Sequence, residues 1–251
     1  MILYVHDDLT DDVHARHAAG SPAVTLVTEI LTLVRRKHVV VLTLTPQLDA
    51  LAAQGPRAPF ALTLGIGPAG ERVARQVHAR TGWFPAIRQV DLTREEDGRG
   101  GYAVVSLRTV PLAEQLAGVE TAASLAIVDD TIFSGITLRT LLDALPPATR
   151  ARARAFCLRG VAESLPSVGC PIAVGFAAPG KILEDVSFIN ASGLVRRGAI
   201  RRTGAAPLAF FERPEWMREW FGEAAGALIE RCGRLNALLE PDGCPSLPAP
   251  V

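Results

Sequence analysis

Apolar runs and helical periodicities alternate along this chain. An apolar, often β-branched run bounded by glycine, proline or polar residues predicts a buried strand, and apolar residues three or four apart predict a helix. The strands predicted in this way are 2–5, 39–44, 60–66, 86–92, 102–107, 125–128, 153–158 and 172–176. The main helices predicted are 22–37, 71–80, 138–145 and 215–239.

The order of these elements predicts the fold class. Strands and helices alternate from about residue 20 to about residue 178, which indicates an α/β fold with a mainly parallel central sheet covered by helices on both faces. After Pro179 the pattern breaks, and 180–212 is irregular and basic. The expected organisation is a single domain over 1–251 with three parts: a core at about 20–178, a smaller part formed by 1–19 and 179–240, and a loose tail at 241–251.

Composition narrows the classes of partner. Hydrophobic residues make up 49% of the 251 residues, which is enough for a sizeable core. Lys plus Arg equals Asp plus Glu at 26 each, so no overall field attracts nucleic acid or a membrane surface, and a small-molecule ligand is expected. The sequence has no run of about eighteen apolar residues and no signal-like start, which favours a cytoplasmic protein.

The segment 125–138 carries the clearest chemistry. A buried strand is followed by Asp129 and Asp130, then by a turn of small hydroxyl residues that leads into a helix. Ligands of open α/β sheets bind where a parallel strand feeds a helix, and the free N–H groups of 131–137 would form a seat for an anion. Gly135 lets the backbone approach a phosphate closely. The two carboxylates suit a sugar diol or hydrated Mg²⁺. The alternative is an ordinary strand–turn–helix with polar caps.

The stretch Val128-Asp129-Asp130-Thr131-Ile132-Phe133-Ser134-Gly135-Ile136-Thr137-Leu138 resembles the phosphoribosyl pyrophosphate signature of type I phosphoribosyltransferases. The resemblance implies the type I phosphoribosyltransferase fold, with a small hood formed from the terminal segments. It implies that Asp129 and Asp130 are the catalytic pair that holds the ribose hydroxyls. It assigns the 5′-phosphate to a loop of six residues: Thr131, Ile132, Phe133, Ser134, Gly135 and Thr137. The implied cofactor is Mg²⁺, bound mainly through the substrate, with Asp129 and Asp130 as candidate ligands.

One position departs from part of that family. Some purine-using members carry a catalytic aspartate one residue before the Ser/Thr-Gly pair, and here that residue is Phe133. A mechanism that uses this carboxylate as a base is therefore not available to the chain, which makes hypoxanthine or guanine a less suitable acceptor.

A second loop resembles the pyrophosphate loop of the family in its placement between a strand and a helix. Its residues are Ile66, Gly67, Pro68, Ala69 and Gly70. The family loop often contains a strained cis peptide, and a cis bond before proline costs only about 0.5–1 kcal/mol, so we expect a cis Gly67–Pro68 bond. The alternatives are an ordinary glycine-rich turn, with Pro68 simply starting the helix.

The charged, glycine-rich segment 93–101 lies where the family has a flexible lid between the two loops. As a lid it would bring Arg94, Arg99 or Tyr102 to the site, and Arg108 after the next strand is a further candidate for pyrophosphate. The alternative for this segment is a solvated hairpin turn.

The terminal segments are less informative. The string His6-Asp7-Asp8, Asp11-Asp12, His14 and His17 fits no standard metal motif, so a polar loop with aspartate capping a short helix is the favoured interpretation. In the C-terminal part, residues that could contact an acceptor or a phosphate are Lys181, Phe188, Asn190, Ser192 and the arginines 196, 197, 201 and 202. For these arginines a solvated or dimer-interface role is preferred.

The expected function is transfer of the phosphoribosyl group from phosphoribosyl pyrophosphate to an unidentified acceptor, with release of pyrophosphate. This reaction belongs to the pentosyltransferases, a class of glycosyltransferases, and to nucleotide metabolism. The alternative is a sensor or regulator of the same fold that binds phosphoribosyl pyrophosphate or a nucleotide without turnover. The resemblance also implies a homodimer.

Overall fold

The computed structural model describes residues 1–54, 58–96, 101–106 and 110–240. The chain divides into two compact units, one formed by Met1–Leu44 with the residues from Ser187 onward, and one formed by Thr45–Val186. No helix in the described ranges has the length and apolar character needed to cross a membrane.

The strands are β1 (Ile2–His6), β2 (Val39–Leu42), β3 (Leu62–Ile66), β4 (Ile87–Val90), β5 (Leu92–Glu96), β6 (Tyr102–Ser106), β7 (Leu125–Ile132), β8 (Ala153–Val161), β9 (Ile172–Ala178) and β10 (Val186–Asn190). The helices are α1 (Leu9–His14), α2 (Pro22–Val34), α3 (Leu44–Ala52), α4 (Gly67–Thr81), α5 (Leu112–Gln115), α6 (Ile136–Asp143), α7 (Pro147–Arg150), α8 (Ala191–Val195), α9 (Pro214–Phe221) and α10 (Ala225–Leu239). Short 3₁₀ turns cover Val119–Thr121, Leu165–Val168, Phe210–Glu212 and Gly222–Ala224.

The unit Thr45–Val186 contains the predicted parallel sheet. Its five strands lie in the order β4-β3-β7-β8-β9 and every neighbouring pair is parallel. Residues 125–128 of the central strand are all buried, as the unbroken apolar run predicted for a strand covered on both faces. An apolar cluster that includes Leu64, Ile127 and Leu141 packs the sheet against α6. The α/β fold class with a helix-flanked parallel sheet is therefore confirmed.

The order β4-β3-β7-β8-β9 also creates a switch point between β3 and β7. The chain leaves β3 through α4 toward the β4 edge, whereas it leaves β7 through α6 toward β8 and the opposite edge. The carboxyl ends of β3 and β7 therefore lie side by side, with Gly65 in register with Val128. Such a point is where open α/β sheets bind their ligands.

The predicted extent of the core differs from the observed units. Strand 39–44 and the helix before it were expected in the core, but β2 pairs in parallel with β1 in a separate three-stranded sheet, β10-β1-β2. That sheet and α2 pack with α10 in one apolar cluster that includes Leu3, Ile30 and Leu228. An apolar run indicates that a strand is buried but not which strand it pairs with. The sequence pattern alone therefore could not show that β2 and β3 belong to different sheets.

Two further expectations for the C-terminal part were wrong. The segment 180–212 is not irregular throughout, because it contains β10 and α8. The helix expected at 215–239 is interrupted at Gly222, whose φ of 54° and ψ of −126° are not helical, and it forms α9 and α10 instead. Trp220 and Phe221 are buried and pack in the apolar core of this unit.

Candidate functional site

The acidic pair lies within the central strand rather than after it. The expected strand ended at Val128, but β7 continues to Ile132, so that Asp129 and Asp130 occupy its carboxyl-terminal half. The strand continues because Asp129, Thr131 and Ile132 stay in register with β8. The backbone N–H of Asp130 donates to Asp129 Oδ1 at 2.8 Å. Both carboxylates are only partly accessible, which places them at the edge of the sheet's interior.

Asp129 has an unusual proton affinity. Burial, together with the neighbouring charge of Asp130, raises the pKa of Asp129 from 3.8 to about 8, and the bond from the Asp130 N–H and the charge of Arg94 oppose the rise only in part. Near neutral pH the Asp129 carboxyl therefore carries a proton for much of the time. A carboxyl in this state can donate a hydrogen bond as well as accept one, and it adds little negative charge beside an anion.

Asp130 has a buried cationic partner. Arg159, on the neighbouring strand β8, is 1% exposed and its Nη2 donates to Asp130 Oδ2 at 3.0 Å. The Thr131 hydroxyl donates to the same oxygen at 3.2 Å. Arg159 was not among the predicted site residues, because the predicted strand ended at Leu158 whereas β8 continues to Val161. A single arginine at the end of an apolar strand, beside the strand that carries the acids, is the signal that could have identified it.

The predicted phosphate loop follows β7 directly. Gly135 has a φ of 73° and stands at the N-terminal boundary of α6, a left-handed conformation that glycine adopts without strain. Arg139, one turn into α6, donates from Nη1 to the Ser134 carbonyl at 2.7 Å and to the Ser167 hydroxyl at 3.2 Å. Through the bond to the Ser134 carbonyl, Arg139 stabilises the conformation of the loop. This role was not predicted from the sequence.

A small open pocket lies on this loop. Its lining includes six residues of the predicted ribose and phosphate sites, which are Asp129, Thr131, Ile132, Phe133, Gly135 and Thr137. Arg94 of β5, Ile136 and Leu138 complete it. The opening thus brings Asp129 together with most of the predicted phosphate loop at the N-terminus of α6, whereas the described residues Asp130, Ser134 and 66–70 are not part of its lining.

The charged segment expected to form a lid or a hairpin is built on β5 and β6, which pair antiparallel with Arg94 opposite Val104. The Arg94 guanidinium lies over the Phe133 ring at 4.7 Å from its centre and 5.9 Å from that of Tyr102. Tyr102 itself is about half exposed. The hairpin therefore reaches the phosphate loop through Arg94, while Arg99 and Arg108 lie outside the described residues.

The second predicted loop begins α4, beside the acidic pair. A Cβ on Gly70 would lie 2.4 Å from the Val128 carbonyl oxygen, and one on Gly65 would lie 2.6 Å from the backbone of Glu71. These two glycines therefore allow α4 to pack closely against β3 and β7. The expectation of a cis Gly67–Pro68 bond was wrong: the bond is trans, because Gly67, with a φ of 59°, and Pro68 form the first turn of α4.

The polar residues of the first unit are engaged with one another. Asp7 accepts from the Thr10 N–H at 3.0 Å and so caps α1, as the favoured interpretation of the N-terminal string expected. Asp8 accepts from the Ser192 N–H at 2.8 Å. Within the described ranges, no group of three or more His, Cys, Asp or Glu side chains could hold a metal ion.

Part of the basic cluster is neutralised within the same unit. Arg196 pairs with Asp12 at 2.5 Å, and Arg197 pairs with Glu212 at 2.8 Å. The bond from Arg197 holds the pKa of Glu212 below its usual range, against the opposing effect of burial. Both arginine side chains remain partly exposed, so these ion pairs are compatible with the solvated role, and the dimer-interface role stays a prediction.

Comparison with known proteins gives only distant structural likeness. The sequence matches no protein-family model and no curated protein. The chain is similar to a purine phosphoribosyltransferase from Pyrococcus horikoshii Ot3, with 14% identity and a TM-score of 0.39 over 57% of this chain and 86% of that one. It is also similar to a xanthine-guanine-hypoxanthine phosphoribosyltransferase from Helicobacter pylori, with 9% identity and a TM-score of 0.34 over 74% and 90%.

A third similar structure is a hypothetical protein from Neisseria gonorrhoeae with bound ppGpp, with 18% identity and a TM-score of 0.37 over 57% of this chain and 81% of that one. Identities and TM-scores this low do not assign an activity to the chain. The functional interpretation therefore depends on the residues around the pocket.

Proposed function

We propose that the chain is a phosphoribosyltransferase that takes the phosphoribosyl group from phosphoribosyl pyrophosphate. The observation that carries the proposal is the position of the signature: Asp129 of β7, the left-handed Gly135 and the start of α6 line one pocket, and the backbone of Asp129 lies against Gly70 of α4. A phosphorylated sugar needs partners for its hydroxyl groups and an anion seat, and the Asp129 carboxyl and the start of α6 suit these two parts.

In the proposed reaction the bond from C1 of the ribose to the pyrophosphate oxygen breaks, and its electron pair leaves with pyrophosphate. The acceptor forms the new bond to C1 and releases a proton. Asp129 and Asp130 hold the ribose hydroxyls, and the 131–137 loop binds the 5′-phosphate through its N–H groups and hydroxyls. Residues 66–70, together with Arg94, stabilise the departing pyrophosphate. Positioning and charge stabilisation are the main contributions of such a site.

The donor set fits a magnesium ion that arrives with the substrate. Mg²⁺ keeps several waters and binds through one or two carboxylates together with phosphate oxygens. Asp130 already pairs with Arg159, and Asp129 has a pKa raised to about 8, so the protein alone offers Mg²⁺ little charge. When bound, the ion would neutralise the pyrophosphate and assist its departure.

The contact of Arg94 with Phe133 bears on the acceptor. Phe133 stands where some purine-using relatives have a catalytic aspartate, and the Arg94 guanidinium covers its ring. The proposed enzyme therefore lacks a base at this position and should favour an acceptor that needs no proton removed there before attack.

The proposal is tested by ³¹P NMR of phosphoribosyl pyrophosphate incubated with the protein, Mg²⁺ and a panel of purines, pyrimidines and amines. Acceptor-dependent release of pyrophosphate, together with a new phosphoribosyl signal, is expected for at least one class. The Asp129→Asn variant should release none. Binding of phosphoribosyl pyrophosphate without turnover by any acceptor would refute transfer and favour the sensor instead.

A further inference from the structure

Arg159 is a buried cation whose position needs a physical reason. It lies on β8 with Thr131 of β7 on one side and Phe176 of β9 on the other, and it is 1% exposed. A guanidinium stays protonated in proteins, and a buried charge is stable only beside a counter-ion. Asp130 is that counter-ion, with 3.0 Å between Arg159 Nη2 and Asp130 Oδ2.

The ion pair restrains Asp130 from the side of the protein interior. Its Oδ2 accepts from both Arg159 and the Thr131 hydroxyl, whereas the Asp130 side chain as a whole is 20% exposed. Two donors on one oxygen restrict rotation of the carboxylate. The accessible part of the side chain is therefore held in a fixed orientation, one residue beyond Asp129, which lines the pocket.

The pair also changes the charge that a ligand meets. An ionised carboxylate beside an anion seat would repel a phosphate, and at a separation of a few Å in a partly buried site this repulsion is strong. The guanidinium of Arg159 lies next to the Asp130 carboxylate and offsets its negative charge. Arg159, on the neighbouring strand β8, therefore compensates part of the negative charge of the acidic pair.

We propose that Arg159 is a positioning residue for sugar-phosphate binding, which holds Asp130 toward the ribose and offsets the charge that the acidic pair presents to the 5′-phosphate. The inference rests on the proposed function, since it takes the ligand to be a phosphorylated ribose. Arg159 acts through Asp130 and is not assigned a contact with the reacting atoms.

The test is calorimetric titration of ribose 5-phosphate into the wild-type chain and its variants in buffer without Mg²⁺, so that the charge effect is that of the protein alone. Arg159→Met should weaken binding by roughly 10- to 100-fold, the loss expected when a charged hydrogen-bond partner is removed. Arg159→Lys keeps the charge and should restore part of the affinity. Arg154→Met, on the same strand but at its opposite end, is the matched control and should bind as the wild type does.

A double variant separates positioning from general loss of structure. In an Asp130→Asn background the Arg159→Met change should have a much smaller effect on affinity, because the group that Arg159 positions has lost its charge. Removal of both charges avoids a lone buried carboxylate, so the double variant should fold. If Arg159→Met alone does not fold, the Arg159→Lys change is compared in the two backgrounds instead. Equal losses in both backgrounds would overturn the inference.

The two proposals fail in different ways. Wild-type protein that binds neither ribose 5-phosphate nor phosphoribosyl pyrophosphate would contradict the proposed function. Wild-type protein that binds ribose 5-phosphate, with folded Arg159→Met binding it equally well, would contradict only the role of Arg159.

Discussion

Replacement of Asp129 by asparagine should stabilise the protein at neutral pH while it removes ligand binding. Asparagine has the shape of the aspartate and its Oδ1 can still accept the 2.8 Å bond from the Asp130 N–H. The substitution removes an acid whose ionised form is disfavoured by burial and by the charge of Asp130. We therefore expect opposite effects on stability and on binding from a change of one functional group.

The magnitude follows from the pKa of Asp129, which is 3.8 for the ordinary side chain and about 8 in the folded chain. Between these values the unfolded state has released the proton and the folded state retains it. The unfolding free energy of the wild type therefore falls by about 1.4 kcal/mol per pH unit relative to the variant, or about 4 kcal/mol between pH 4.5 and pH 7.5. Below about pH 4 both states are protonated and the difference disappears, and above about pH 8 it stops growing.

The assay is urea denaturation of both proteins at several pH values, without ligand. The control is Asp143→Asn, because that exposed carboxylate pairs with Arg150 at 2.7 Å on the surface. The control should lose roughly 0–1 kcal/mol of stability and show no comparable gain at high pH. A stability difference between Asp129→Asn and wild type that stays constant from about pH 4 to pH 8 would contradict this prediction, because it would mean that Asp129 ionises alike in the folded and unfolded states.

Two further predictions concern packing and the hairpin. Gly70→Ala should lower the unfolding free energy by about 1–3 kcal/mol and weaken ligand binding, since its Cβ would meet the Val128 carbonyl and push α4 from β7. Gly226→Ala in α10, where a Cβ meets no atom within 4 Å, should instead be neutral or stabilising by about 0.5–1 kcal/mol, and thermal unfolding of both variants checks the contrast. Arg94→Met should leave the unfolding midpoint nearly unchanged but weaken phosphoribosyl pyrophosphate more than ribose 5-phosphate in matched titrations. Equal weakening of the two ligands would argue against a role of Arg94 at the pyrophosphate.

Much of the site could be predicted because its residues are contiguous in the sequence. The acidic pair and the loop that follows it come from one strand and one turn, and local pattern is enough to place a glycine at the start of α6. The order of apolar runs likewise predicted a parallel sheet, because parallel strands need helical crossovers between them.

The residues that sequence reasoning missed are those that reach the site from elsewhere in the fold. Arg159 comes from β8 and contacts Asp130 only because β7 and β8 are neighbours in the sheet. Arg139 lies on the predicted helix 138–145, but its bond to the Ser134 carbonyl depends on how the turn closes, which a local pattern does not encode. The pairing of β2 with β1, outside the five-stranded sheet, was missed for the same reason. Strand pairing is a long-range property that an apolar run does not encode.

The most direct test of the account is a calorimetric titration of phosphoribosyl pyrophosphate with and without Mg²⁺, into the wild type and the Asp129→Asn, Asp130→Asn double variant. The account predicts binding to the wild type that Mg²⁺ strengthens and that the folded double variant loses. Absence of binding to well-folded wild type, or equal binding to the double variant, would contradict the assignment of the β7 acids and the following loop as a phosphoribosyl pyrophosphate site.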